Sequence, residues 1–178
     1  MKIIITSFEP FGGRSINAST ELIKNINIKN IEKILLPVDY SKILPKISEI
    51  IDSNPDYLFL FGEAGSYKDI TIEYSAHNIA NGKDNSGNIL NDSSIIEGAP
   101  YELNTKLNIN ASYFDFLESH DAGKYLCNYS YYLSLYKTLN KNTKVLFVHI
   151  PFIKEEGGSF ELIDLINRIE FFLQSIIN

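Results

Sequence analysis

The chain has a single cysteine in 178 residues. An internal disulfide is therefore excluded, and Cys127 and the three histidines do not fall at zinc-site spacing. Basic charge is also scarce. Sixteen Lys and Arg against 22 Asp and Glu give a net charge of -6 at pH 7. That argues against a nucleic-acid footprint and a polybasic membrane patch. Long hydrophobic runs are missing too. The start, Met1-Lys2-Ile3-Ile4-Ile5-Thr6, turns polar after three apolar residues, too few for a signal-peptide core or a membrane span. The expected address is the cytoplasm, where a lone thiol stays reduced. There is no internal repeat, no low-complexity tract and no phosphate loop. The turn Phe8-Glu9-Pro10-Phe11-Gly12-Gly13 is not G-x-G-x-x-G, Glu9 would repel phosphate, and Pro10 lacks an amide donor.

What is present suffices for one globular domain over residues 1–178, because 44% of the residues are hydrophobic. Short apolar runs ending in turn-prone residues read as parallel strands covered on both faces: Lys2–Thr6, Ile31–Leu36, Asp56–Phe61 and Lys144–His149. Helical spacing predicts helices over Ser19–Asn25, Tyr40–Ser53, Gly123–Leu139 and Ser159–Ile177. Ile70–Asn78 reads as an edge or antiparallel strand, Tyr113–Leu117 as one more strand, and Asn81–Pro100 as a long loop. The expected fold is an α/β/α sandwich around a mixed, largely parallel sheet. Ligands of such sheets bind beyond the carboxyl ends of the parallel strands. The Phe8–Gly13 loop, the Gly62-Glu63-Ala64-Gly65 turn and His149 should share that edge.

The chemistry-bearing residues are few. Cys127 follows Ser119-His120-Asp121-Ala122-Gly123-Lys124-Tyr125-Leu126. Asp121 is the expected N-cap, which puts Cys127 in the second helical turn, where the dipole is weak. A neighbouring imidazolium would be needed for a thiolate near neutral pH. His149, at a buried strand end, is the better-placed base; His120 lies in a loop. His77 and Glu73 share a strand and cannot bond each other across about 13 Å. Glu73 sits among apolar neighbours and needs a partner; orienting an imidazole would supply one. Taken alone, Cys127 reads as a small core residue, Glu73 as a solvated strand-face carboxylate, and Phe8 and Phe11 as packing beneath the loop.

Together the segments resemble the pyroglutamyl peptidase I family of cytosolic cysteine peptidases. The resemblance rests on Thr6-Ser7-Phe8-Glu9-Pro10-Phe11-Gly12-Gly13 with Asn17, Leu36-Pro37-Val38, Gly62-Glu63-Ala64-Gly65 with Ile70-Thr71-Ile72-Glu73, Asp121–Asn128, and Phe147-Val148-His149-Ile150-Pro151. It implies Cys127 as nucleophile, His149 as base and Glu73 as third member of a triad. Phe8, Phe11, Asn17 and Glu63 would bind the substrate, a peptide blocked by N-terminal pyroglutamate. No metal or cofactor is implied, and a homotetramer is. The chain departs from the pattern at Glu63, where many microbial relatives have Gln, and at Ala18, which replaces Pro. It has no Arg in the stretch before Asp84, where only Lys83 is cationic, and the helix expected between Pro100 and Tyr113 is cut short. Glu63 is expected to contribute backbone contacts alone. A ring-binding module without turnover and a thiol amidase for another small lactam are the competing expectations.

Overall fold

The computed structural model of the chain describes residues 1–177. Ten strands and four α-helices follow in the order β1 Ile3–Phe8, α1 Ala18–Asn25, β2 Ile31–Leu36, α2 Tyr40–Asp52, β3 Tyr57–Glu63, β4 Thr71–Glu73, β5 Ser75–His77, β6 Ala80–Lys83, β7 Ile89–Ser93, β8 Glu102–Asn104, β9 Leu117–Ser119, α3 Leu126–Lys137, β10 Lys144–Ile150 and α4 Leu162–Ile177. Six strands form the central sheet in the order β2-β1-β3-β10-β4-β9. The first four run parallel, and β4 is antiparallel to β10. No described helix is long and apolar enough to cross a membrane.

Period-2 side-chain alternation sends neighbouring strand residues to opposite faces. Ile3, Ile5, Phe59, Phe61, Leu146 and Val148 pack with α1 and α4 on one side. Ile4, Leu58, Leu60, Val145 and Phe147 pack with α2 and α3 on the other. Both faces are covered, which is why these strands read as continuous apolar runs rather than alternating ones. The expected α/β/α sandwich is the fold observed.

Three sequence expectations are corrected. Asn81–Pro100 is not a plain loop, because β6 and β7 pair antiparallel within and just before it. The hairpin turn is organised by Asp84, whose carboxylate accepts the Asn88 backbone N–H and the Tyr40 backbone N–H, each at 2.8 Å. Polar residues that usually mark a loop here make the turn. Tyr113–Leu117 is not a strand. Ala111–Phe114 forms a 3₁₀ turn closed by Asp115 in the left-handed region (φ 57°), and β9 starts at Leu117. Ile70–Asn78 is antiparallel as expected but not at an edge: β9 covers β4, and the segment breaks at Tyr74 so that β5 leaves to pair with β8. No α-helix forms between Pro100 and Tyr113, in keeping with the shortened segment.

Candidate active site

β1 and β3 lie side by side, and the chain leaves them in opposite directions across the sheet, β1 towards β2 and β3 towards β10. Such a reversal opens a crevice at the strands' carboxyl ends. His149 sits there, near the end of β10 and buried. Its register partner on parallel β3 is Gly62, and on antiparallel β4 it is Thr71. Glu73, two residues beyond Thr71, therefore lies on the same face as His149 as a diagonal neighbour. The geometry closes a bond of 2.7 Å between His149 Nδ1 and Glu73 Oε1. A carboxylate only accepts, so Nδ1 carries the proton and Nε2 is the ring nitrogen free of this bond.

Cys127 stands across from them on α3. The helix begins at Leu126 with Tyr125 as an extended N-cap that makes no side-chain cap bond. Asp121 is not the cap; its Oδ1 instead accepts the Gly123 backbone N–H at 3.0 Å. Cys127 is consequently the second helical residue, in the first turn rather than the second, where the dipole is strongest. Its sulfur rests over Gly62: a Cβ built there would lie 2.8 Å from Cys127 Sγ and 2.5 Å from Phe147 Cζ. Only a residue without a side chain lets the thiol come down onto the strand that pairs with His149. Cys127, His149, Glu63 and Lys124 line one cavity of about 290 Å³.

The thiol is not a resting thiolate by its surroundings. Burial first, then the charges of Glu73 and Glu63, push Cys127 up to about 12, against the weaker pull of its own backbone N–H.

Tyr67, which no sequence motif marks, completes the acid–imidazole pair. Its hydroxyl donates to Glu73 Oε1 at 2.9 Å, and its ring stacks on the His149 imidazole at 5.1 Å between centroids. Burial pushes the phenol up to about 12, so it remains a donor at neutral pH. The other two histidines lie elsewhere. His77 faces Glu102 at 3.4 Å, and His120 meets the Ser75 hydroxyl at 3.1 Å.

The four residues expected to bind substrate fall together. Phe8, Phe11, Asn17 and Glu63 line a second, narrower recess beside Cys127, closed by Tyr125. Phe8 is buried and packs on Phe147, whereas Phe11 is half-buried and tilts against Tyr125 at 5.9 Å. Asn17 caps α1, its Oδ1 accepting the Ser19 N–H at 3.0 Å. The Glu63 side chain is committed within the protein. Oε2 accepts the Ala18 N–H, and Oε1 pairs with the Arg14 guanidinium. Arg14 also reaches Glu156 Oε1 at 3.2 Å and stacks over Phe11 and Phe152. The Gly12-Gly13 turn places Arg14 here, but sequence alone does not join it to Glu63 or Glu156, which lie on other loops. No described cluster of three or more His, Cys, Asp or Glu could hold a metal ion.

Comparison with known proteins gives one answer. Residues 1–159 match the family model described as pyroglutamyl peptidase. Pyrrolidone-carboxylate peptidase 2 of Caldanaerobacter subterraneus subsp. tengcongensis is 38% identical over 204 aligned positions, covering 99% of this chain and 97% of that protein. The pyrrolidone-carboxylate peptidase of Thermococcus onnurineus is 36% identical over 175 positions, covering 88% of this chain and 86% of its own. The crystal structure of pyrrolidone carboxyl peptidase from Fervidobacterium islandicum superposes with a TM-score of 0.90 at 28% identity, over 99% of this chain and 98% of that one. With a family match over nearly the whole sequence, and relatives matched over most of both chains, this chain belongs to the pyroglutamyl peptidase family.

Proposed function

We propose that the chain is a cysteine peptidase that removes pyroglutamate from the N-terminus of peptides, with Cys127 as nucleophile, His149 as acid–base and Glu73 as the group that orients it. One observation carries the reading: the 2.7 Å bond from His149 Nδ1 to Glu73, with the only thiol seated over the glycine in register with that histidine. Sulfur attacks the pyroglutamyl carbonyl carbon. Because the thiol is pushed up to about 12, its proton moves to His149 Nε2 as attack proceeds. The imidazolium, held by Glu73, gives that proton to the leaving amine. Water, with His149 now as base, then hydrolyses the thioester and frees pyroglutamate. This reading assigns the developing oxyanion to backbone N–H groups at the start of α3.

The narrow recess suits the ring. Phe8, Phe11, Val38 and Tyr125 offer apolar faces to an uncharged lactam, and Glu63 lies in the wall with its carboxylate turned to the Ala18 N–H and Arg14. It holds only about 10 Å³, room for roughly one water. Entry of the ring therefore requires the Phe11–Tyr125 pair to part. A charged N-terminal amine would lose its hydration among these rings, which disfavours ordinary peptides.

The test is turnover of fluorogenic N-terminal amides. Pyroglutamyl-aminomethylcoumarin should be hydrolysed, while glutaminyl and prolyl amides are left intact. Equal rates on all three would overturn the assignment.

Tyr67 acts through Glu73, as a positioning residue. Tyr67→Phe keeps the ring that stacks on His149 and deletes only the donor. A hydrogen bond to a charged acceptor contributes about 1.5–3 kcal/mol. If about half of that bears on the transition state, kcat should fall on the order of tenfold with KM unchanged. An unaltered kcat would remove Tyr67 from the machinery.

A further inference from the structure

Two carboxyl groups and one guanidinium meet beside the reaction cavity, whose lining includes Arg14 and Glu63, and they come from three separate stretches of chain. Arg14 lies after β1. Glu63 ends β3, and Glu156 ends the 3₁₀ turn Lys154–Glu156 that follows β10. The Glu63 and Glu156 side chains are almost wholly removed from solvent, at 0% and 4% exposure, while Arg14 keeps 30%. Arg14 pairs with both. Glu63 Oε1 and Glu156 Oε2 nevertheless have no hydrogen-bond partner of ordinary geometry. One cation cannot balance two buried anions, and leaving a carboxylate unmatched there is costly.

We propose that Arg14 and Glu156 are positioning residues for the ring recess. With Glu63 they clasp together the end of β3 and the loop after β1, which wall it, and the segment after β10, which walls the adjoining reaction cavity; the clasp holds only while one proton is retained between the two carboxyls. Glu63 takes the Ala18 N–H as well as the guanidinium, so it is the better stabilised anion. Glu156 is the natural home for the proton. Burial, then the neighbouring Glu63 carboxyl, push Glu156 up to about 7 against the opposing pull of Arg14 and the Ile153 backbone. Lys124, Cys127 and His149 line the same cavity as Arg14 and Glu63, and among them Glu63 also raises the thiol. When the proton leaves to solvent, two like charges face each other in a poorly hydrated space. Glu63 is then displaced from the wall of the recess.

The consequence is an affinity that depends on pH separately from the chemical step. The role in substrate binding rests on the peptidase reading; the shared proton does not. Wild-type KM for pyroglutamyl-aminomethylcoumarin should rise roughly thirtyfold between about pH 6 and pH 8.5, the scale set by losing one required proton beyond its midpoint. Glu156→Gln keeps the shape and removes the titration, so its KM should stay flat while its kcat profile follows the wild type. A flat wild-type KM, or a variant that repeats the wild-type rise, overturns the clasp.

Melting temperature reads the proton without any turnover. Glu156 is raised from an ordinary 4.5 to about 7. Its contribution to stability is therefore full below about pH 4.5 and is lost as the pH climbs through 7. The wild type should lose more of its melting temperature than Glu156→Gln across that window. Equal slopes in the two chains would refute the retained proton. Absence of turnover at every pH would refute the peptidase reading, and the melting comparison would still decide the proton.

Discussion

Cys127→Ala should yield a folded protein with no measurable hydrolysis of the pyroglutamyl amide. Removing a nucleophile that works in concert with its base costs on the order of 10⁴-fold or more, because the remaining groups have no reaction to assist. The fold should tolerate the change. The sulfur contacts Gly62 on one side and is open to a cavity on the other, so its loss leaves little trapped void. Circular dichroism and melting temperature should match the wild type while the rate vanishes. A variant retaining more than a few per cent of the activity would move the nucleophile elsewhere. A related expectation concerns the wild type. With the thiol pushed up to about 12, resting Cys127 should react slowly with iodoacetamide near pH 7. The proposed mechanism makes the nucleophile during substrate attack.

His149→Ala is the second large effect, and it should act on rate and stability together. General acid–base groups contribute about 10²- to 10⁴-fold, so kcat should fall by at least about 10²-fold. The same change leaves buried Glu73 with the Tyr67 hydroxyl as its remaining side-chain partner. Breaking a buried pair by deleting one member typically costs about 3–5 kcal/mol. His149→Asn separates the effects: its amide nitrogen falls near the position of Nδ1 and can donate to Glu73, but it cannot shuttle a proton. It should melt nearer the wild type than His149→Ala and be as slow. Near-normal kcat in either variant would exclude His149 as the acid–base.

How much of this was legible in the sequence follows from where each interaction lives. Ile31–Leu36 is a strand with the expected bounds, and the other three parallel strands extend past theirs by one or two residues at the carboxyl end. Burial on both faces writes itself locally as an apolar run in β1, β3 and β10, whereas β2, at the sheet edge, is a strand of which Glu32, Lys33 and Leu35 are exposed, against the expectation of two covered faces. The sheet edge with Phe8–Gly13, Gly62–Gly65 and His149 followed from that alone. The bond between Glu73 and His149 did not, because it joins residues 76 apart and needs β4 to run against β10. Short strands such as β4 and β9, three residues each, carry too little pattern to fix a direction. Asp121 looked like a cap by residue type, but backbone geometry put the helix start later and brought the cysteine nearer the helix terminus. The Arg14, Glu63 and Glu156 grouping was invisible for the same reason as the acid–imidazole bond: three loops must be folded before their charges meet.

The strand that bears His149 is stitched to β3 on one flank and to β4 on the other. The helix that bears Cys127 packs on the sheet through side chains and is tied to it by one side-chain bond, the Tyr131 hydroxyl donating to the Glu73 carbonyl at 2.9 Å. The imidazole is thus a stationary post, and whatever adjustment a bulky peptide demands must be absorbed by the opposite bank, through the swing of an aromatic ring such as Tyr125 ahead of α3. Variation among family members in the length of the segments feeding that bank would tune which peptides are admitted while leaving the proton-transfer geometry untouched.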